Sequence, residues 1–255
     1  MGTNEASDSG RVVWTEVTDG IATITLDSQQ NRNALSRQLL TELHEGIDTA
    51  EARQARAIVL THRGPAFCAG ADLKERSDAP ADSRPFVRVL ERLMDTDRPT
   101  IAAVNGAVRA GGIGLMAACD LVVVHSSTTF ALTEVRIGVA AAIISVPILR
   151  RVPAGKIAAA MLTGEPFDAA EARSIGLVSH VADDVEATVS ALCDGIRAGA
   201  PRAVAETKRM LGVVPSMPRD EAFEAMRALS DTLFRGPDAA TGMAAFAERR
   251  TPVWD

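Results

Sequence analysis

Excess basic charge, a paired set of cysteines, a membrane-length apolar run and a local histidine cluster are all missing from this 255-residue chain. Each absence removes a class of function. The 27 Lys and Arg stand against 33 Asp and Glu, a formal net charge of −6, so nucleic acid is not expected as a partner and any anion site must be local. Cys68, Cys119 and Cys193 are odd in number, far apart and mostly set among apolar neighbours, which fits reduced thiols in a cytoplasmic protein better than a disulfide framework. No apolar run reaches the ~18 residues of a transmembrane helix, and the polar start MGTNEASDSG lacks the apolar core of a secretory signal. Met1-Gly2 without a well-placed basic cluster is a weak lipidation signal, so no membrane partner is expected. His44 falls on a helix face, His62 and His125 at strand ends, and His180 between apolar residues. No two of them have metal-ligand spacing on one element, and no metal is expected.

What is present is an apolar content of 47%, enough for one large domain or a core domain with a small appendage. After a tail over 1–10, expected to be disordered, VVWTEVTDGIATITLD alternates on both sides of Asp19-Gly20 and reads as a hairpin. SRQLLTELHEGIDTAEA carries Leu39, Leu40, Leu43 and Ile47 at helical spacing, with Ser36 placed as N-cap. RAIVLTHRG, TIAAVNGAV and LVVVHSS read as apolar strands, and PFVRVLERLMDT and GGIGLMAAC as helices before and between them. That order predicts an α/β core with repeated strand-to-helix crossovers. From about Asp183 the chain turns to Ala, Glu, Arg, Leu and Met at helical period, broken by Pro201, Pro215, Pro218 and Pro237. The expected division is a core over 11–195 and a helical section over 196–255 that serves oligomerisation.

Two segments run from a strand through a glycine turn into a helix: IVLTHRGPAFCAGADLKE and IAAVNGAVRAGGIGLMAACD. One such turn also serves helix packing alone. Two in one chain suggest a pair of backbone N–H donors aimed at one oxygen, the arrangement that best polarises a carbonyl or thioester. Yet the helix opened by Gly111-Gly112 has no carboxylate in its first turn, so the acid or base must come from elsewhere. Ser145 and Cys119 lack a local base and read as packing residues. LTGEPFDAAEARSIGLV reads as a core-packing helix with Asp168 as N-cap and Gly176 as its stop.

The runs NRNALS, AFCAGADLKE, NGAVRAGGIGLMAACD, FALTEVRIG, LTGEPFDAAEARSIGLV and GMAAFAERRTPVW occur in the order found in the enoyl-CoA hydratase/isomerase (crotonase) family, which the chain resembles nearly end to end. The resemblance implies an α/β fold, a spiral of ββα turns, followed by helices that build homotrimers, commonly paired into homohexamers. It implies an acyl-CoA thioester as substrate, with no cofactor beyond the CoA that the substrate carries. The N–H groups of Ala71 and Gly111 would form the oxyanion hole. Ala69 and the run Ala71, Asp72, Leu73 and Lys74 would lie along the CoA and acyl chain, and Asn31, Arg32 and Ala34 along the pantetheine and adenine. Arg249 beside Phe246 would reach a CoA phosphate, in some members on a neighbouring subunit, a task that suits the planar guanidinium.

Hydratases of this family commonly use two glutamates. The second corresponds to Glu134; the first falls on Gly114, which transfers no proton. Glu134 alone could activate water while the donors hold an enolate, with either Glu134 or a second water in the space left by Gly114 returning a proton. The reading VAAAIISVP after Glu134 resembles the subset acting on branched, carboxylated enoyl-CoAs such as 3-methylglutaconyl-CoA, for which Arg109 and Arg136 would supply the cation. Two alternatives stay open: an enoyl-CoA isomerase using Glu134 as sole base, and a non-catalytic acyl-CoA binding protein. A surface salt bridge between Glu134 and Arg136 is the bland alternative for that carboxylate.

Overall fold

The computed structural model describes residues 10–78 and 82–254, so the expected tail lies outside the described residues except for Gly10. Strands β1 (Val13–Thr18) and β2 (Ile21–Leu26) pair antiparallel with Val13 opposite Leu26 and Thr18 opposite Ile21. Their turn uses Asp19 and Gly20 at φ of 50° and 73°, the left-handed pair that a two-residue hairpin of matching twist requires. Helix α1 (Arg37–Ala52) begins where the Ser36 hydroxyl accepts from the Leu39 N–H at 3.2 Å, and its predicted apolar stripe is buried.

The chain then repeats one operation. A strand of a first sheet passes directly into a strand of a second sheet, and in the first two rounds a helical segment returns it to the first, whereas the third leads back into the second. The pairs are β3 (Ala57–His62) with β4 (Ala66–Cys68), β5 (Thr100–Val104) with β6 (Ala107–Arg109), and β7 (Leu121–His125) with β8 (Thr129–Ala131). The helices are α2 (Leu73–Asp78) and α3 (Arg84–Asp95) after β4, α4 (Gly111–Ala117) after β6, and α5 (Ala142–Arg151) and α6 (Ala154–Thr163) after β8. A last turn comprises β9 (Phe167–Asp168), α7 (Ala169–Ser174) and β10 (His180–Ala182), with Asp168 accepting from the Glu171 N–H as N-cap. The result is a six-stranded sheet ordered β1-β2-β3-β5-β7-β10 and a four-stranded sheet ordered β4-β6-β8-β9. This is the expected ββα spiral.

The first sheet is covered on both sides, which is why its strands read as continuous apolar runs rather than as alternation. Ile58, Leu60, Ala102 and Val124 face one core with α1, α3 and α4, while Ala57, Val59, Ile101 and Val123 face a second beneath α8 (Val185–Ala198). The expected boundary at 195/196 therefore falls inside a helix that seals the core. The chain breaks later, at Gly199-Ala200, where Pro201 opens α9 (Pro201–Val213), followed by α10 (Arg219–Phe234) and α11 (Pro237–Ala247). Among the described residues no helix is long and apolar enough to cross a membrane. All three cysteines are free and buried, and burial pushes the thiols of Cys68 and Cys119 up to about 12, which keeps them protonated.

His62 ends β3 with its ring edge against Phe67 and its Nε2 accepting from the Asn105 N–H at 3.0 Å. Burial lowers its pKa below the usual 6.5, so the folded state holds the neutral ring. As pH falls below 6.5 the unfolded chain binds the proton first, and stability is lost down to the folded pKa. His62→Gln keeps an acceptor for Asn105 and should flatten the pH dependence of the unfolding free energy between pH 7 and 5 relative to the parent. Parallel slopes in urea titrations of the two proteins would refute that.

Candidate active site

Strands β4, β6 and β8 are parallel neighbours, so the turns leaving their C-terminal ends lie side by side. The first turn is Ala69-Gly70-Ala71, the second Ala110-Gly111, and the third Leu132-Thr133-Glu134. A spiral of repeated connections thus gathers Ala71, Gly111 and Glu134, 40 and 23 positions apart, on one edge, the edge where open parallel sheets bind ligands.

The first two turns touch. A Cβ on Gly70, whose φ is +92°, would stand 2.8 Å from Ala110 Cβ and 3.3 Å from Gly111 N. Ala110 itself holds φ 47° and ψ −122°, a conformation costing an alanine roughly 1–3 kcal/mol, and its N–H donates to Ala131 O at 2.9 Å. That twist makes Gly111 the first helical residue of α4, whose N–H has no acceptor within the helix. Neither Gly111 nor Ala71 donates its N–H to any acceptor among the described residues. Ala71 is held by the segment before α1: Leu35 N–H donates to Gly70 O at 2.8 Å and Ala69 N–H to Arg32 O at 3.0 Å.

Behind this clamp stands Asn33, a residue the motif reading passed over. It is fully buried at φ 56°, its Nδ2 donates to Arg63 O and Ala66 O, and its Oδ1 accepts from Ser28 N–H. Its sequence signal was the residue type, since asparagine tolerates the left-handed region better than most.

Glu134 opens a 3-10 turn, Glu134–Ile137. Its carboxyl is half-buried, Oε2 has no hydrogen-bond partner, and burial raises its pKa above the usual 4.5. The expected salt-bridge alternative is absent, because Arg136 turns the other way, donating to Thr163 O at 3.1 Å and pairing with Glu165 at 2.5 Å.

A cavity of about 550 Å³ opens on this edge. Ala69, Ala71, Ala110, Gly111 and Glu134 line it, together with Thr133 and Ala140 to Ile144. Leu35, Leu40, Pro85 and Phe86 add an apolar side, Ile137 and Val139 line it just after Glu134, and Arg37, Thr41, Asp72, Leu73, Glu75 and Asp82 complete the lining. Two free N–H groups beside a carboxylate can stabilise negative charge on a bound carbonyl oxygen while moving a proton at a neighbouring carbon.

Several expected ligand contacts fall elsewhere. Arg109 and Arg136, expected to meet a carboxylated tail, are outside the lining. Arg109 is instead engaged by Thr129, with Nη1 on its carbonyl and Nη2 on its hydroxyl, which fastens β6 to β8. Asn31 bonds Asp72 Oδ2 at 3.2 Å, and Arg32 and Ala34 belong to the clamp rather than the lining. Asp72 lines the cavity, but its Oδ1 accepts from the N–H groups of Lys74 and Glu75 as the cap of α2. Lys74 is exposed on that helix outside the lining. Phe246, 87% exposed, and Arg249 lie on the C-terminal segment, also outside it. The space expected at Gly114 is filled by Ile144. Arg37, Thr133 and Ile144 are lining residues that the motifs did not reveal, because each reaches the cavity from a segment whose direction is set by packing.

The comparisons with known proteins identify the family. The family profile described as Enoyl-CoA hydratase/isomerase matches residues 16–255. The mitochondrial enoyl-CoA hydratase domain-containing protein 3 of Danio rerio is 34% identical over 262 residues, covering 98% of this chain and 89% of that protein. The crystal structure of an enoyl-CoA hydratase from Mycobacterium avium is 38% identical with a TM-score of 0.74, covering 94% of this chain and 98% of that one. A Mycobacterium smegmatis enoyl-CoA hydratase superposes with a TM-score of 0.89 at 30% identity, over 95% of this chain and 98% of that chain. With the profile spanning the whole spiral and the three strand ends converging as they do, the chain belongs to the enoyl-CoA hydratase/isomerase family.

Proposed function

We propose that the protein hydrates a 2-enoyl-CoA thioester, with CoA supplied by the substrate itself. One observation carries the reading: two free N–H groups and one half-buried carboxylate converge on a single cavity at the ends of β4, β6 and β8. Ala71 and Gly111 donate to the thioester oxygen. Glu134 takes a proton from water as the hydroxyl bonds to carbon 3, and the double-bond electrons pass to the thioester oxygen as an enolate. The enolate then takes the proton back from Glu134 at carbon 2, leaving a 3-hydroxyacyl-CoA. The names of the relatives support this chemistry.

For the acyl group, a neutral chain suits the apolar side of the cavity. A carboxylated tail such as that of 3-methylglutaconyl-CoA loses the support expected from Arg109 and Arg136. Arg37, the one basic side chain among the described lining residues, is its remaining candidate. A double-bond shift is the second reading, favoured by Glu134 standing without another carboxylate at the inner end. We also propose that the exposed Phe223, Phe234, Met243 and Phe246 of α10 and α11 meet other copies in a homotrimer or homohexamer. Phe246 and Arg249 would then reach the CoA of a neighbouring copy.

The test is conversion of crotonyl-CoA, a long-chain 2-enoyl-CoA, a 3-enoyl-CoA and 3-methylglutaconyl-CoA, followed by mass. Gain of one water by a 2-enoyl-CoA supports hydration; mass-neutral conversion of the 3-enoyl-CoA alone would replace it with isomerisation. Binding of all four without conversion would make the protein a carrier. Hydration of 3-methylglutaconyl-CoA lost selectively in Arg37→Met would assign the carboxylate to that side chain.

A further inference from the structure

Gly114 lies one turn beyond Gly111 on the helix that offers the second N–H donor. A Cβ there would stand 2.1 Å from Ile144 Cγ2, 2.5 Å from Ile144 Cβ and 3.2 Å from its Cα. Ile144 is therefore seated in a notch that exists only because position 114 carries no side chain. It is 3% exposed, occupies the first turn of α5, and lines the same cavity as Gly111 and Glu134. A β-branched residue in a helix has one strongly preferred χ1, and the backbone of α4 lies directly behind this one. Ile144 cannot retreat from a ligand. Its neighbours Ala141 and Ala142 are small, so Ile143 and Ile144 are the bulky lining residues at the start of α5, and Ile144 is the buried one, whereas Ile137 and Val139 line the cavity from exposed positions at 59% and 53%.

We propose that Ile144 is a specificity-determining residue, setting the width of the cavity where carbon 3 of the acyl group meets Glu134 and favouring chains unbranched at that carbon. The proposal rests on the reading of this cavity as an acyl-CoA site. The glycine and the isoleucine act as a matched pair: Ile144→Ala widens the wall, whereas Gly114→Ala pushes Ile144 toward the ligand.

Butyryl-CoA and 3-methylbutyryl-CoA are saturated and do not turn over, so calorimetric titration separates fit from chemistry. The parent protein should bind butyryl-CoA at least tenfold more tightly. Ile144→Ala should shrink that preference about tenfold, within the range one methyl group confers in an apolar pocket, Ile144→Val should shrink it partway, and Gly114→Ala should enlarge it. Should Ile144→Ala fail to fold, as judged by melting, the valine variant decides. If both thioesters bind every variant with the parent's ratio, the assignment of Ile144 is overturned while the acyl-CoA reading stands. If the parent binds neither thioester, the acyl-CoA reading fails and the proposal with it.

Discussion

Glu134→Gln should lower kcat for hydration by about 10²–10⁴-fold while leaving KM for the enoyl-CoA nearly unchanged. The glutamine keeps the size and the hydrogen-bonding reach of the carboxyl but takes no proton. The binding contacts of the thioester lie on Ala71 and Gly111, so truncating proton transfer alone should fall on kcat. In the parent, the ionised form of Glu134 is the competent base. Because burial raises its pKa above 4.5, kcat/KM should climb with pH through a limb displaced upward from that value, and the variant should lack that limb. The same shift predicts the effect on stability. Between the unfolded and the raised folded pKa the native state holds more protons, so stability falls as pH rises, and at neutral pH the buried charge is a cost. Glu134→Gln should thus melt higher than the parent at pH 7 while losing turnover. A variant retaining a tenth or more of the parent's kcat, with the acid limb intact, would remove Glu134 from the chemistry.

The largest effect on stability is expected at Lys208, on α9, whose side chain is only 7% exposed. Its Nζ donates to Leu93 O at 3.0 Å and Arg98 O at 2.9 Å and pairs with Asp120 Oδ2 at 2.9 Å. Asp120 in turn accepts from the Thr100 N–H at 2.7 Å. Arg151 completes the cluster, donating to Cys119 O and, at 3.0 Å, to Asp120 O. Two cations thereby close the segment that leaves α4, the helix carrying Gly111, and one of them comes from the C-terminal helices. Lys208→Met preserves much of the stem but leaves the Asp120 carboxylate without its paired ammonium, Arg98 O without the Lys208 donor, and Leu93 O with only the Thr100 hydroxyl at 3.4 Å. Breaking a buried pair from one side costs about 3–5 kcal/mol, and partial exposure of Asp120 places this case near 3. For a chain of this size that is a fall of about 6–12 °C in Tm. A urea midpoint within a few tenths molar of the parent's would mean that α9 is held by its apolar contacts alone.

Much of the fold was legible locally. Asp19-Gly20, Ser36, Asp168 and Gly176 each act through backbone preferences or a side-chain bond reaching two or three residues, so residue type and position sufficed. The stripe Leu39, Leu40, Leu43 and Ile47 was equally readable, because helical period is a local property. The two glycine turns were visible, and so was Glu134, although its role came from resemblance rather than from spacing. Arg109 and Arg136 stand outside the lining because a long side chain beside a site has several partners within reach. Only the three-dimensional arrangement brings Thr129, Thr163 and Glu165 to them. The position 195/196 lies within α8, whose start near the composition shift at Asp183 was readable, whereas its end at Ala198 depends on how far the helix covers the sheet.

The sequence by itself determined the first hairpin, helix α1, the capped start of α7 and the tight turns, two of which could present N–H donors, since these follow from φ preferences, capping and apolar period over a few residues; that TIAAVNGAV divides into β5 and β6 of two sheets was not among them. Only the tertiary structure decided that β4, β6 and β8 lie parallel and adjacent, which brings Ala71, Gly111 and Glu134 to one edge. It also decided that the place beside Gly114 belongs to Ile144 and that Lys208 closes the core from a distant helix. Those outcomes rest on the register of strands 41 and 22 residues apart and on competition among buried partners. Neither is encoded in any single stretch of the chain.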